Sequence, residues 1–415
     1  MVWQGQYHQY VVGRMSAARL EVPSEMYSVE ELKLWVLARR RADLVWRRGK
    51  VVPVRERKIE YQGVGIAYLV PGGRWLLVGD LMCGSVTVYD LDARELTGEP
   101  LIPDGDLDEQ AVDLIAITLD SIEKSPNLAF TMVLSSAAHM EQSPLHVTTW
   151  RVALVGDKNN ARLVAQRLHS FQAHNHCLIN DIALQDNLYA RIVCKGDFCY
   201  LEVFDLERSS SEAHCKAIIF PGVVIRRIRL LPGNRLLTFS QEQIMIYQFN
   251  IADGVNPIAP NISPKITEPT WRYELPDLRA CYSALSQGIS RGPSIHFLFT
   301  TNNHILDLIF HINNDQNPQV VEVAKLTYNK PSPIMSDIGS DKAFIQYPDS
   351  TVVHLSLRWE KQALSSPKPE VPVLSRTTPR DYFWNEIQPP KLDEETGRII
   401  QNTNDMIWII DTALP

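Results

Sequence analysis

A strand–turn–strand segment that recurs 161 residues later most constrains the fold of this chain. The first copy runs from Leu69 to Asp92 (LVPGGRWLLVGDLMCGSVTVYDLD), and the second runs from Leu230 to Phe249. In both copies an apolar run stops at a Pro-Gly turn, resumes, and is followed after a similar gap by a second strand-like run. Pro presets the φ of one central turn position, and Gly accepts the positive φ that the next can require. Each copy therefore predicts two antiparallel strands and a turn.

The offset between the copies favours a β-propeller. It is too long for one blade, but a third of it, about 54 residues, is slightly above the usual blade length. On this period the chain divides into four-strand groups at residues 63–103, 112–171, 177–220, 223–275, 279–326 and 332–377, with a shorter group at 382–413.

The missing strand of the last group has a candidate near the start of the chain, the segment Lys50–Ile59. Pairing it with the last blade would close the ring and leave no exposed sheet edge. We therefore predict an all-β fold: a seven-bladed WD-like β-propeller, with six or eight blades as alternatives, preceded by a short N-terminal helical segment. The predicted domains are residues 1–49 (helical segment) and 50–415 (propeller).

The residues before the propeller contain one clear helix signal. Ser28 and Glu31 form a capping box, and the apolar residues that follow have mostly helical spacing. We predict a helix at about residues 29–46. The first 27 residues contain aromatic and apolar side chains without a clear period.

A basic cluster follows in this region, with nine Lys or Arg residues from Arg39 to Lys58 against Asp43 and Glu56. Such runs bind nucleic acid or direct nuclear import. They are also typical of a solvated helix face and of edge strands, where positive charge discourages unwanted pairing. We favour the second interpretation, because the net charge of −7 argues against a general polyanion binder. Nucleic acid is not expected as a partner, and a nuclear scaffold remains a further alternative.

Targeting signals and cysteine usage predict an intracellular protein, cytoplasmic or nuclear. No apolar run approaches the roughly 18 residues that span a bilayer, and the first residues lack the charged and then apolar tract of a secretory signal. No membrane partner is therefore expected. The six cysteines include no CxxC pair, so neither a disulfide framework nor a zinc module is indicated.

Motifs of the common enzyme classes are absent: GxSxG, GxGxxG after a strand, and the phosphate-binding loop. Asp104, Asp106 and Asp108 match the first ligands of a calcium loop, but Glu109 and Ile115 stand where that loop needs Gly and Glu.

The predicted inner strands are nearly free of ionisable side chains. These strands include residues 66–70, 114–119, 224–228 and 280–285. The exceptions are Arg226 and Arg227, with Asp113 and Arg229 just outside the strands. We predict no catalytic residue and no cofactor, and thus a chain that is not an enzyme. A propeller enzyme of lactonase or glycoside-hydrolase type is the alternative.

Two pairs of residues are weak candidates for a metal site. His176 and Cys177 precede one predicted strand, and Cys194 and Cys199 flank the next turn, so strand pairing could gather them at one end of a blade. Thiolates suit zinc, but the four residues between Cys194 and Cys199 are at the loose end of ligand spacing. We favour packed thiols beside a loop and predict no metal.

Over nearly its whole length the chain resembles the fungal families of F-box proteins with divergent WD-type propellers. The resemblance rests on the capped helix, on LVPGGRWLL and on the closing DEETGRI strand. Its framework positions are Pro71, Gly72, Gly73, Arg74 and Asp90, with Pro232, Gly233 and Arg235 in the second copy. Because these are framework residues, the resemblance carries over no ligand-binding residue.

The resemblance implies a ubiquitin-ligase setting. In that family the F-box binds the adaptor of a cullin-RING ubiquitin ligase, and the propeller holds the substrate. The F-box itself is not recognisable before Tyr7, so the adaptor is expected as a partner only if an F-box lies upstream. We predict a non-enzymatic protein–protein interaction module, similar to such a substrate-recognition propeller. The sequence identifies neither the protein partner nor the residues that bind it.

Overall fold

The computed structural model describes most of the chain. The described residues are 2–14, 20–47, 53–60, 65–103, 112–121, 125–138, 145–156, 160–173, 179–195, 198–210, 213–253, 265–275, 285–286, 288–291, 293–301, 304–312, 317–325, 335–338, 342–346, 352–356, 375–377, 391–402 and 406–413.

Two α-helices precede the strands: α1 (Val2–Arg14) and α2 (Val29–Arg47), with a 3-10 turn at Ser24–Met26 between them. The predicted capping box is confirmed, because the backbone N–H of Ser28 donates to the Glu31 carboxylate and that of Glu31 donates to the Ser28 hydroxyl. Helix α1 was not predicted. It packs on α2, with the rings of Tyr7 and Trp35 edge-on at 5.3 Å.

The rest of the described chain is β structure in small antiparallel four-stranded sheets, six of which use four consecutive strands in chain order. Sheet 1 contains β2 (Gly65–Leu69), β3 (Trp75–Asp80), β4 (Val86–Asp90) and β5 (Gly98–Ile102). Sheet 2 contains β6 (Val112–Ser121), β7 (Ala129–Ala138), β8 (Leu145–Val155) and β9 (Arg162–Ala173). Sheet 3 contains β10 (Ile179–Gln185), β11 (Leu188–Lys195), β12 (Phe198–Asp205) and β13 (Lys216–Ile219).

Sheet 4 contains β14 (Ile225–Leu231), β15 (Arg235–Ser240), β16 (Gln243–Gln248) and β17 (Trp271–Glu274). Sheet 5 contains β18 (Ile289–Arg291), β19 (Ser294–Thr300), β20 (His304–His311) and β21 (Gln319–Lys325). Sheet 6 contains β22 (Met335–Ile338), β23 (Lys342–Gln346), β24 (Val352–Ser356) and β25 (Ser375–Thr377). These blade-like sheets match the predicted groups, except that sheet 5 starts at Ile289 and residues 280–284 lie outside the described part.

Sheet 7 combines the two ends of the strand region. Its order is β1 (Arg55–Glu60), β28 (Met406–Asp411), β27 (Arg398–Asn402) and β26 (Lys391–Asp393). Strand β1 pairs with β28 along its whole length, from Arg55 opposite Asp411 to Glu60 opposite Met406. The prediction that the segment near Lys50–Ile59 supplies the missing strand of the last group is confirmed.

The chain divides into two compact units. Unit 1 contains residues 1–77, 89–98 and 279–415, and unit 2 contains residues 78–88 and 99–278. In unit 2, sheet 3 packs on sheet 2 through a cluster that includes Phe171 and Phe204, and on sheet 4 through a cluster that includes Leu201 and Tyr247. In unit 1, sheets 5, 6 and 7 are neighbours in chain order, and sheet 7 borders β2.

The two copies of the repeated turn have the predicted backbone. Gly72 and Gly73 have φ of 101° and 74°, and in the second copy Gly233 and Asn234 have φ of 78° and 54°. Asn tolerates this left-handed region better than most residues. The copies differ in their surroundings, because a Cβ atom at Gly73 would lie 2.6 Å from Asp393 Oδ2 of sheet 7.

Candidate functional site

Two β-bulges define the candidate site in unit 2. The register of the first strand of sheet 3 shifts between Ile179 and Ile182, and that of the first strand of sheet 4 shifts between Ile225 and Arg227. An extra residue in one strand turns neighbouring side chains toward a new direction, and bulges are frequent beside active sites. Both shifts lie in strands that form neighbouring parts of unit 2.

Charged side chains gather at these bulges. We name Arg226, Arg227 and Arg229 of β14, together with Asp181 of β10, the arginine cluster. Arg227 Nη1 lies 3.6 Å from Asp181 Oδ1, and Arg229 Nη1 lies 3.4 Å from Asp181 Oδ2. The backbone N–H of Ile228 also donates to Asp181 Oδ2 at 2.9 Å, which fixes the carboxylate between the strands.

The arginine cluster contains three arginines and one aspartate. Arg227 and Arg229 lie near the Asp181 carboxylate, the Arg227 side chain is 39% exposed, and Arg226 is exposed. Guanidinium groups bind carboxylates and phosphates through paired, charge-assisted hydrogen bonds. Val223 and Val224, just before the cluster, are 39% and 49% exposed. The site thus combines cationic and apolar surface.

Cys194 and Cys199 lie next to the arginine cluster. They are directly opposite each other on β11 and β12, with their Sγ atoms 2.7 Å apart. Burial, and then the hydrogen bond and charge of Cys199, raise the pKa of the Cys194 thiol to about 12, whereas the nearby Arg226 acts in the opposite direction. The structure therefore brings together two of the four weak metal candidates. The other two, His176 and Cys177, lie outside the described residues.

A buried network of charged side chains links β11 and β12, the strands that carry Cys194 and Cys199, to β13. Arg191 of β11 and Glu202 of β12 face each other, with Arg191 Nε 2.7 Å from Glu202 Oε2, and Lys216 Nζ of β13 lies 2.6 Å from Glu202 Oε1. All three side chains are at most 3% exposed. Because breaking such a network leaves an uncompensated buried charge, it holds β11, β12 and β13 in one register.

The framework residues have structural contacts. Arg74 binds Asp90 through two hydrogen bonds, of 3.1 and 2.8 Å, and its Nη1 lies 2.6 Å from Glu21 Oε2. In the second copy Arg235 Nε donates instead to the Pro232 carbonyl at 2.9 Å. The acidic loop with Asp104, Asp106 and Asp108 lies outside the described residues.

Much of the basic cluster is engaged within the protein. Arg55 and Arg57 both pair with Asp411, at 2.7 and 3.3 Å, and Lys58 Nζ lies 3.9 Å from the centre of the Trp408 ring. Arg39 is only 7% exposed. Strand β1 is an edge strand, as the favoured interpretation of the cluster predicted.

The sequence pointed to part of the arginine cluster. Its three arginines stood out as exceptions among apolar inner strands, but Asp181 carried no signal, because only the bulges and the neighbouring sheets bring it to β14. Within the described ranges, no group of three or more His, Cys, Asp or Glu side chains is placed to hold a metal ion. The described helices include none that is long and apolar enough to cross a membrane.

No protein-family model matches the chain, and no curated protein matches it significantly.

Proposed function

We propose that this chain is a non-enzymatic protein-interaction module that holds an acidic segment of a protein partner at the arginine cluster. The observation that carries the proposal is the group of three arginines at the β14 bulge, of which Arg226 is exposed and the Arg227 side chain is 39% exposed, beside the exposed Val223 and Val224. A peptide with carboxylates next to apolar side chains is complementary to both parts of this surface.

A protein partner fits better than nucleic acid. The chain has a net charge of −7, which repels an extended polyanion, whereas a short acidic segment meets only the local positive charge. The three arginines lie within four residues of one strand, which is also too short a stretch to follow a nucleic-acid backbone over many phosphates.

The proposed architecture is a closed, seven-bladed WD-like propeller in which sheets 1 to 7 are the blades. Support comes from the seven four-stranded sheets and from β1, which enters sheet 7 as its outer strand. In this arrangement β10 and β14 are inner strands, so the arginine cluster would line the central channel. Loops and channel mouths of propellers are suited to binding partners because the scaffold holds them rigidly.

The resemblance to F-box proteins suggests that the proposed binding would serve substrate recognition by a ubiquitin ligase. A substrate-recognition propeller of a ubiquitin ligase would use the arginine cluster for an acidic substrate, and the ligase adaptor would bind only through an F-box upstream of the present sequence. Reading the coding sequence upstream of Met1 tests this part separately from the acidic-partner proposal.

A peptide array tests the acidic-partner proposal. The full chain is applied to 15-residue peptides in which Asp and Glu content, apolar content and Lys content vary independently. We expect binding to acidic peptides with apolar residues and weaker binding at high salt, because screening weakens exposed charge pairs. Losing one charge-assisted contact in Arg226→Ala is expected to reduce affinity at least about tenfold.

Arg162→Ala is the matched control, since Arg162 is an exposed arginine of the same unit outside the cluster. It should bind like the wild type. Equal binding by wild type and Arg226→Ala, or no preference for acidic peptides, would refute the proposal.

A further inference from the structure

Cys194 and Cys199 occupy directly paired positions whose sulfurs are in contact. They are paired residues of β11 and β12, next to the turn that joins these strands. Opposite residues of an antiparallel pair have Cα atoms about 4.5 or 5.5 Å apart, and both values fall within the range of about 4.4–6.8 Å found in disulfides. Their Sγ atoms, 2.7 Å apart, are in contact but farther apart than the roughly 2.0 Å of an S–S bond, and neither cysteine is in a disulfide.

The other described thiols contact oxygen atoms. Cys83 lies 3.2 Å from the Ser85 hydroxyl, and Cys215 is buried and contacts Asp253. Cys194 and Cys199 are both partly exposed, which gives a small oxidant access to them. Arg226 lies near Cys194, and its charge lowers the pKa of that thiol against the larger effects of burial and Cys199.

We propose that Cys194 and Cys199 are a reversible redox pair that closes to an intramolecular disulfide with hydrogen peroxide as the oxidant. The proposal is independent of the partner-binding function. Burial and the neighbouring Cys199 raise the pKa of the Cys194 thiol to about 12. We assign Cys199 as the sulfur that attacks the peroxide first, and serine variants at the two positions test this order.

The chemistry takes two steps. The Cys199 thiolate attacks one peroxide oxygen, the O–O bond breaks, and the departing hydroxide takes up the proton that the thiol lost, which leaves Cys199 sulfenic acid and one water. The Cys194 sulfur then attacks the Cys199 sulfur, the S–O bond breaks, and the Cys194 proton joins the departing hydroxide as a second water. The two thiols lose two electrons, which reduce the peroxide. A dithiol reductant restores both thiols.

Peptide mapping of the full chain tests the proposal, because a lysine separates the two cysteines. Trypsin cuts after Arg191, Lys195 and Arg208, so Cys194 lies in Ile192–Lys195 and Cys199 lies in Gly196–Arg208. The reduced protein is treated with hydrogen peroxide, its remaining thiols are alkylated, and it is digested without reductant. We expect the two peptides to be joined by a disulfide and to separate after dithiothreitol treatment.

Serine variants distinguish the roles of the two sulfurs. Cys194→Ser should leave a Cys199 sulfenic acid that dimedone traps, and Cys199→Ser should leave Cys194 alkylated. Cys83→Ser, the matched control, should still form the joined peptides. Alkylated Cys194 and Cys199 after peroxide treatment of the wild type, or linkage of either to another cysteine, would overturn the proposal.

Discussion

Arg398 and Asp411 face each other on β27 and β28 of sheet 7, with Arg398 Nε 2.6 Å from Asp411 Oδ1, and both side chains are only 3% exposed. Asp411 also faces Arg55 of β1, whose Nε lies 2.7 Å from Oδ2. One buried carboxylate therefore joins a strand from the start of the β region to two strands from its end.

We expect Asp411→Asn to destabilise the chain by about 3–5 kcal/mol, because it removes the buried carboxylate that faces Arg398 and leaves that guanidinium with only the half-exposed Asp92 carboxylate. The control is Asp253→Asn, which removes the ion pair between Asp253 and Arg208. Their side chains are 72% and 51% exposed, so we expect a loss of less than about 1 kcal/mol in unfolding free energy. Urea unfolding followed by tryptophan fluorescence measures both. Similar losses in the two variants would show that Asp411 does not hold the chain ends together.

Arg398 also contacts the first copy of the repeated turn. Its guanidinium donates to the Gly73 carbonyl and, at 3.1 Å, to Asp92 Oδ1, while the N–H of Gly72 donates to Asp393 Oδ1 at 3.2 Å. The turn that carries the family resemblance therefore binds sheet 7 through its backbone. These contacts give its glycines a structural role.

Exchanging Gly73 and Asn234, the corresponding residues of the two turns, tests whether only the first turn packs closely against sheet 7. Gly73→Asn keeps a residue that tolerates positive φ but introduces a side chain against Asp393 and Thr396, so we expect a loss of about 1–3 kcal/mol in unfolding free energy. Asn234→Gly, the reciprocal change, should alter stability by less than about 1 kcal/mol. The explanation fails if thermal and urea unfolding show equal effects for the two substitutions.

The buried network at Glu202 predicts a particular pH dependence. Burial raises the pKa of the Glu202 carboxyl, but Arg191 and Lys216 together lower it more, so the net pKa lies below the ordinary value of 4.5. A carboxyl with a lower pKa in the folded state contributes stability above its unfolded pKa, and that stability is lost as the pH falls through the folded pKa. We expect the wild-type chain to lose stability below about pH 5 more steeply than Glu202→Gln.

Glu21→Gln provides a comparison, because the pKa of Glu21 is shifted in the opposite direction to that of Glu202. Burial raises the pKa of Glu21 despite Arg74, so protonation of this carboxyl favours the folded state as the pH falls. The wild type should therefore gain stability relative to Glu21→Gln at acidic pH. Denaturant unfolding from pH 7 to pH 3 compares the three proteins, and parallel curves would contradict both assignments.

The periodic parts of the fold could be predicted from the sequence. Alternating apolar runs and Pro-Gly turns are local signals, and they located sheet 4 within two residues of its observed ends at Ile225 and Glu274. Helix α2 was equally clear because its capping box is local. Helix α1 was not predicted: it lacks an apolar period and a carboxylate in its first turn, and its contacts with α2 are tertiary.

The candidate site depends on relationships that the sequence does not display. Asp181 and Arg229 are 48 residues apart and meet because sheets 3 and 4 are neighbours. A bulge changes the face of the sheet on which a side chain lies, and the residue types at these positions do not predict a bulge. Cys194 and Cys199 could be placed near each other from the predicted hairpin, but only the observed register makes them direct partners.

Site-specific photo-crosslinking tests the central claim, binding of an acidic partner at the arginine cluster, most directly. A photoreactive phenylalanine analogue replaces Val224, which is 49% exposed beside the cluster, or Val164, which is 42% exposed on β9, and an acidic, apolar peptide that binds on the array is added. The account predicts crosslinking from position 224, its loss when Arg226→Ala is also present, and none from position 164. Equal crosslinking from both positions, or crosslinking from position 164 alone, would contradict it.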